Sequence, residues 1–177
     1  MGLPKYYSQF DIESEIVFKN KILSDLRKDF IIVEECRGTH LSGKQLRIDA
    51  IIKPKDISDW KNKEIAFGLE FKSPSNLKSF GGQLGFIKQC IDYSYTDFEN
   101  FGFIPILSCP RIELDETYSG ERSLTTIRHL LNQFLVGEMD YTHRGLSIIF
   151  AEHHFIWQDS VVNEGKRWAL KKHFGSK

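Results

Sequence analysis

Residues 65 to 72 read IAFGLEFK, an apolar run that closes on an acid and a base. A run of this kind belongs to a buried strand, and the charges at its end are what constrain the fold. Successive side chains of a strand point to opposite faces. Ile65, Phe67, Leu69 and Phe71 then share one face, all large and apolar. Ala66, Gly68, Glu70 and Lys72 share the other, which starts small and ends charged. One reading is a same-face ion pair on a half-exposed strand, which is worth little. The other is that small residues make room and the charges do chemistry.

The neighbouring segments supply a context. Residues 12 to 29 have apolar positions at helical spacing, with Ile16, Ile22, Leu23 and Leu26 running on to Phe30, and Asp11 as the candidate cap. FIIVEEC, from residue 30, reads as a strand, and RGTHLSGK as the turn after it. QLRIDAIIKP is a second strand, ended by Pro54, and EIAFGLEFK is the third. GQLGFIKQCIDYSY reads as a second helix, with Phe80, Leu84, Ile87 and Ile91 as its apolar flank. FGFIPILSC is a fourth strand, in which Pro105 argues for an edge or a bulge. RSLTTIRHLLNQFLVG is a third helix, ended by Gly137, and GLSIIFAEHHFIWQD a further strand or hairpin. This order of elements is α/β, with a mixed sheet between helices.

Asp49 is an acid inside the apolar stretch LRIDAII. Strict alternation puts Arg47, Asp49, Ile51 and Lys53 on one face and Leu46, Ile48, Ala50 and Ile52 on the other. A buried lone carboxylate is costly, so Asp49 needs a cation or a metal. If the strands holding Asp49 and Glu70 are neighbours, the two carboxylates converge at one sheet end. Two such acids repel unless a cation lies between them. Oxygen-only ligation suits Mg²⁺ or Mn²⁺ rather than Zn²⁺. Lys72 then lies beside the metal, placed to orient a water or steady developing negative charge.

Asp49, followed by Glu70-Phe71-Lys72 on a strand and then a helix, resembles the PD-(D/E)xK nuclease superfamily. Ile48 stands where the superfamily's name has proline. The resemblance covers residues 12 to 109 and implies a restriction endonuclease-like core: a helix, a three-stranded meander, a helix and a fourth strand. It also implies a glutamate on the first helix facing the metal, with Glu15 the candidate and Glu13 the fallback. Gln89-Cys-Ile-Asp-Tyr93 looks like the Gln-x-x-x-Tyr element of the RecB-like branch, whose side chains lie near the site and touch nucleic acid. Gln83, near the start of the same helix, is placed to reach a phosphate or a metal-bound water.

The resulting expectation is a single domain over residues 1–177, with a core over about 12–109 and an extension over 110–177. The activity it implies is metal-dependent hydrolysis of phosphodiester bonds, in DNA by preference. Asp49, Glu70 and Glu15 would hold one or two Mg²⁺ or Mn²⁺ ions, Lys72 would assist the chemistry, and Gln83, Gln89 and Tyr93 would orient the strand. A non-cleaving DNA-binding or interaction module of the same fold, and an RNA endonuclease, stay open as alternatives. A chain this small that cuts both strands is expected to dimerise. Small size and the lack of a recognition domain suit a phage or mobile-element nuclease.

Other features limit the choice. Over 177 residues the net charge is +0, so composition does not announce a nucleic-acid binder. The tail KRWALKKHFGSK is nonetheless basic, with Trp168 and Phe174 interleaved. Cys36, Cys90 and Cys109 have no metal-ligand spacing and read as reduced, buried thiols of a cytoplasmic protein. MGLPKYYSQFDIESE has no apolar signal-peptide core, and no run is long enough to span a membrane. No Gly-x-Ser-x-Gly or Gly-Lys-Ser/Thr sequence supports nucleophilic catalysis or a phosphate loop. His153 and His154 are adjacent on a strand and face opposite ways, so they do not both serve one site. His40 reads as a solvent-facing loop residue.

Overall fold

The first helix, α1, spans Glu15–Leu26. Its cap is Ser14, whose side chain accepts the N–H of Val17; the expected cap, Asp11, lies outside the described residues. In this computed structural model the described residues are 14–58, 62–112, 121–142, 145–151, 154–160 and 165–168. Phe18, Ile22, Leu23 and Leu26 of α1 are buried, while Ile16 faces outward. Each buried side chain of this size contributes about 1.5–3 kcal/mol relative to exposure.

The strands are β1 (Phe30–His40), β2 (Gln45–Pro54), β3 (Phe67–Phe71), β4 (Thr96–Phe98) and β5 (Ile106–Cys109). They continue as β6 (Val136–Thr142), β7 (Gly145–Phe150), β8 (His154–Ser160) and β9 (Gly165–Trp168). All nine form one sheet in the order β4-β1-β2-β3-β5-β6-β7-β8-β9. The sheet is mixed: β3, β5 and β6 run parallel to one another, and every other pair is antiparallel. Parallel neighbours need crossovers. Helix α2 (Phe80–Ser94) lies in the first and helix α3 (Glu121–Gln133) in the second. The α/β expectation holds at this level.

Alternation along β3 divides the interior in two. Ile65, Phe67, Leu69 and Phe71 join the α1 side chains in one core cluster. Ala66 joins Phe86, Cys90 and Tyr93 of α2 in the other. Gly68 lies on the α2 side because nothing larger fits. A Cβ there would come within 2.6 Å of Ile48 Cδ1 and 2.7 Å of Ile106 Cδ1. The extension after Cys109 is not an appendage. Met139, Ile148, Phe150 and Trp157 belong to the same cluster as Phe30 and Phe67.

Several local expectations change. Pro105 is not on an edge: it precedes β5, which lies between β3 and β6, and its carbonyl accepts the Gly68 N–H. Gly137 does not end α3. It sits inside β6, where a Cβ would press on the Phe150 ring and the Ile149 carbonyl, and the turn out of the helix is made by Leu135 at φ 57°. On α2 the buried side carries Gln83, Phe86, Cys90 and Tyr93, while Phe80 and Leu84 are exposed. The helix turns its more polar edge inward because the sheet end beneath it is itself polar.

The alternation of β2 also fails, at one residue. Leu46 and Ile48 pack with the α2 cluster, whereas Ala50 and Ile52 pack with the α1 cluster. The β1–β2 ladder lacks the Glu35/Asp49 rung, and Glu35 adopts φ 56°. A left-handed non-glycine residue reverses the pleat at that point, and both strands change face there. Asp49 therefore sits where β2 is locally irregular.

Candidate active site

The site forms where β2, β3 and α2 meet. Ala50 and Leu69 are the last ladder partners of β2 and β3 toward this end. Beyond them the Asp49 side chain takes over from the backbone: its Oδ2 accepts the Phe71 N–H at 2.8 Å. Asp49 is thereby fixed beside the residue that follows Glu70. Strand β3 continues to lean on β5, with the Lys72 N–H donating to the Cys109 carbonyl at 2.9 Å.

Glu70 is only 4% exposed. Its Oε1 accepts from Gln89 Nε2 at 2.5 Å and lies 3.5 Å from Lys72 Nζ. Gln89 Nε2 also reaches Tyr93 Oη at 3.1 Å, and Tyr93 donates to the Arg47 carbonyl at 2.7 Å. The Gln-x-x-x-Tyr pair thus links α2 to both β2 and β3. Burial pushes the Glu70 carboxyl up to about 8, and the charge of Asp49 adds to the shift. Lys72 opposes it without cancelling it, consistent with a contact at the long end of ion-pair range. Burial and the Glu70 charge also raise the Tyr93 phenol, so Tyr93 acts as a neutral donor. Burial likewise raises the Cys90 thiol, with Glu70 adding to it, which makes Cys90 a packing residue and not a nucleophile.

The remaining candidates have separate positions. Glu15 Oε2 accepts the Ser73 N–H at 3.0 Å, tying α1 to the segment after Lys72. Among the described residues no group of three or more His, Cys, Asp or Glu side chains is arranged to hold a metal ion. Gln83 Nε2 donates to the Leu77 carbonyl at 2.7 Å, which fixes the short 3₁₀ turn Pro74–Leu77, and its Oε1 is buried with no hydrogen-bond partner among the described residues. His40 Nδ1 accepts the Ser42 N–H, a turn-closing role far from chemistry. Glu13, His153 and the tail beyond Trp168 lie outside the described residues.

One residue of the site was not legible in the sequence. Lys19, one turn after Glu15 on α1, has its Nζ 3.5 Å from Asp49 Oδ1, 3.0 Å from Glu35 Oε1 and 3.8 Å from Glu34 Oε2. Burial alone would lower its ammonium pKa; the Glu35 hydrogen bond and the nearby acids reverse that, and the net shift is upward. Its spacing from Glu15 was a faint signal, but only the docking of α1 over β1 and β2 brings it to Asp49.

No family model, curated protein or solved structure matches this chain. No helix among the described residues is long and apolar enough to cross a membrane.

Proposed function

We propose that the chain is a divalent-metal-dependent nuclease of the PD-(D/E)xK kind that hydrolyses DNA phosphodiester bonds. The observation that carries this reading is Glu70: a carboxylate 4% exposed, beside a second acid, with too little positive charge around it to stay ionised near neutral pH. Buried acids kept only for architecture are paired. The succession of α1, three antiparallel strands, α2, the short β4 on the far edge and then β5 parallel to β3 supports this reading, because it sets Asp49 and Glu70 on neighbouring strands.

Asp49 and Glu70 suit a hard divalent cation. Both offer oxygen, they come from facing strands, and a cation between them would remove the repulsion that raises Glu70. Asp49 and Glu70 would hold Mg²⁺ or Mn²⁺, which would supply Lewis acidity toward the phosphate. The rest is done by the chain itself. Gln89 orients the Glu70 carboxylate, and Tyr93 orients Gln89. Lys72, on the residue after β3, presents an ammonium to the attacking water or to the charge that builds on the phosphate. Gln83 holds the turn before α2 through its bond to the Leu77 carbonyl.

The test is a cleavage assay with Mg²⁺ or Mn²⁺ on linear, branched and single-stranded DNA and on RNA. Metal-dependent cutting is expected, lost with EDTA and reduced at least about a hundredfold in Glu70→Ala. Lys72→Ala should slow turnover more than it weakens binding. Binding without cutting of any substrate would leave a non-cleaving interaction module, and cutting confined to RNA would make it a ribonuclease.

A further inference from the structure

Lys19 occupies an unusual place. Its side chain is 13% exposed and its ammonium sits between Asp49 and the Glu34–Glu35 pair. Glu35 reaches it through the left-handed backbone that interrupts the β1–β2 ladder, opposite Asp49. A non-glycine residue held at φ 56° persists only when its surroundings over-determine it, and such residues cluster at functional positions. Here the kink delivers a carboxylate to Lys19. Arg47 Nε holds the second oxygen of Glu35 at 2.9 Å, so the acceptor stays in place whichever way Lys19 leans.

The two contacts of Lys19 are unequal. The Glu35 contact, at 3.0 Å, is a hydrogen bond; the Asp49 contact, at 3.5 Å, is electrostatic. Asp49 is thus neutralised without being tightly bound on its Oδ1 side. We propose that Lys19 is the resident counter-ion of Asp49, and that a divalent cation entering the site displaces its ammonium onto Glu35. The proposal rests on the metal-dependent reading of Asp49 and Glu70. Lys19 acts as a positioning residue. It orients Asp49 when the cation is absent, and it competes with the cation for that carboxylate. Glu35 is the parking place that keeps this competition weak.

The two partners of Lys19 make opposite demands on metal affinity. Removing Lys19 removes a positive charge from the cation's immediate neighbourhood, so binding tightens. Removing the Glu35 charge leaves Lys19 with Asp49 as its main partner, so binding weakens. Calorimetric titration of the full-length protein with Mn²⁺, without substrate, reads both. Lys19→Met should bind Mn²⁺ about tenfold more tightly than the wild type, and Glu35→Gln about threefold more weakly. Circular dichroism and thermal melts establish that each variant is folded; if Lys19→Met is not, Glu35→Gln decides alone. Wild-type binding that neither folded variant changes would overturn the role of Lys19 while leaving the metal site intact. Weaker binding in Lys19→Met would overturn it too, since it would make Lys19 a support for Asp49. No Mn²⁺ binding by any of the proteins would remove the metal reading itself, and the displacement with it.

Discussion

Glu70 and Glu138 are two buried glutamates on one line across the sheet. Glu70 pairs in register with Ser108 of β5, and Ser108 with Glu138 of β6. Each is 4% exposed. Their surroundings differ. Glu138 accepts from Arg111 Nε at 3.0 Å, from Arg128 Nε at 3.3 Å and from the Ile112 N–H at 3.1 Å. Arg128 also donates to the Ile112 carbonyl at 3.0 Å, and Asp140 lies 3.9 Å from Arg111, so two arginines, two acids and the Ile112 backbone close on each other. Both acids have a second carboxylate nearby, Asp140 for Glu138 and Asp49 for Glu70, but against two arginines Glu70 has only a neutral amide and a long contact to one lysine. Burial alone therefore does not mark a functional acid. What separates the two is how much of the charge is compensated.

The contrast breaks most visibly under a change of pH. The Glu70 carboxyl is raised from 4.5 to about 8 in the folded protein. The folded state then binds more protons than the unfolded state between those values, so stability falls as pH rises through that window and the contribution is fully present only below about 4.5. At about 1.36 kcal/mol per pH unit the full effect is at most about 5 kcal/mol. Urea unfolding in EDTA should show the protein less stable at pH 9 than at pH 5, and Glu70→Gln should flatten that slope. An unchanged slope in the variant would assign it to another group.

Next in size is the opposite acid. Glu138→Ala takes from the buried Arg128 its carboxylate partner, and breaking a buried pair costs about 3–5 kcal/mol. Equilibrium unfolding at pH 7 should show that loss, whereas Glu70→Gln at the same pH should cost little or stabilise. Comparable losses in the two would erase the distinction. The smallest expected effect is Tyr93→Phe, which leaves the Arg47 carbonyl without its donor. It should cost about 1–2 kcal/mol and loosen Gln89. A measured loss within error would mean that water replaces the hydroxyl.

Much of this was legible in the sequence, for identifiable reasons. The β3 faces followed from strict alternation, because both sides of that strand are packed and any slip would bury the wrong set. The bounds of β2 followed from Pro54 and the turn at Ser42-Gly43. Its interior alternation failed at Asp49 because the cause lies in another strand, in the backbone of Glu35. The buried side of α2 was misjudged because Gln83 and Tyr93 are polar, yet each finds its partner in β2 or in the turn before the helix. Lys19 and the Arg111–Glu138–Arg128 group are charged residues whose partners are distant in sequence. No local pattern distinguishes them from solvated ones.

The aromatic seam on the α1 side has a consequence for how the chain is made. Phe30, at the start of β1, meets Trp157 of β8 edge-on with ring centroids 5.0 Å apart, and Phe67 meets Phe150 of β7 at 6.4 Å. A growing chain exposes the first member of each pair long before the second is synthesised. The early strands wait with their aromatic rings uncovered, and closing the seam is a long-range event that slows folding. A fragment that stops at Ile112 would keep Asp49, Glu70 and Lys72 but lack the cover that Trp157 and Phe150 give to Phe30 and Phe67.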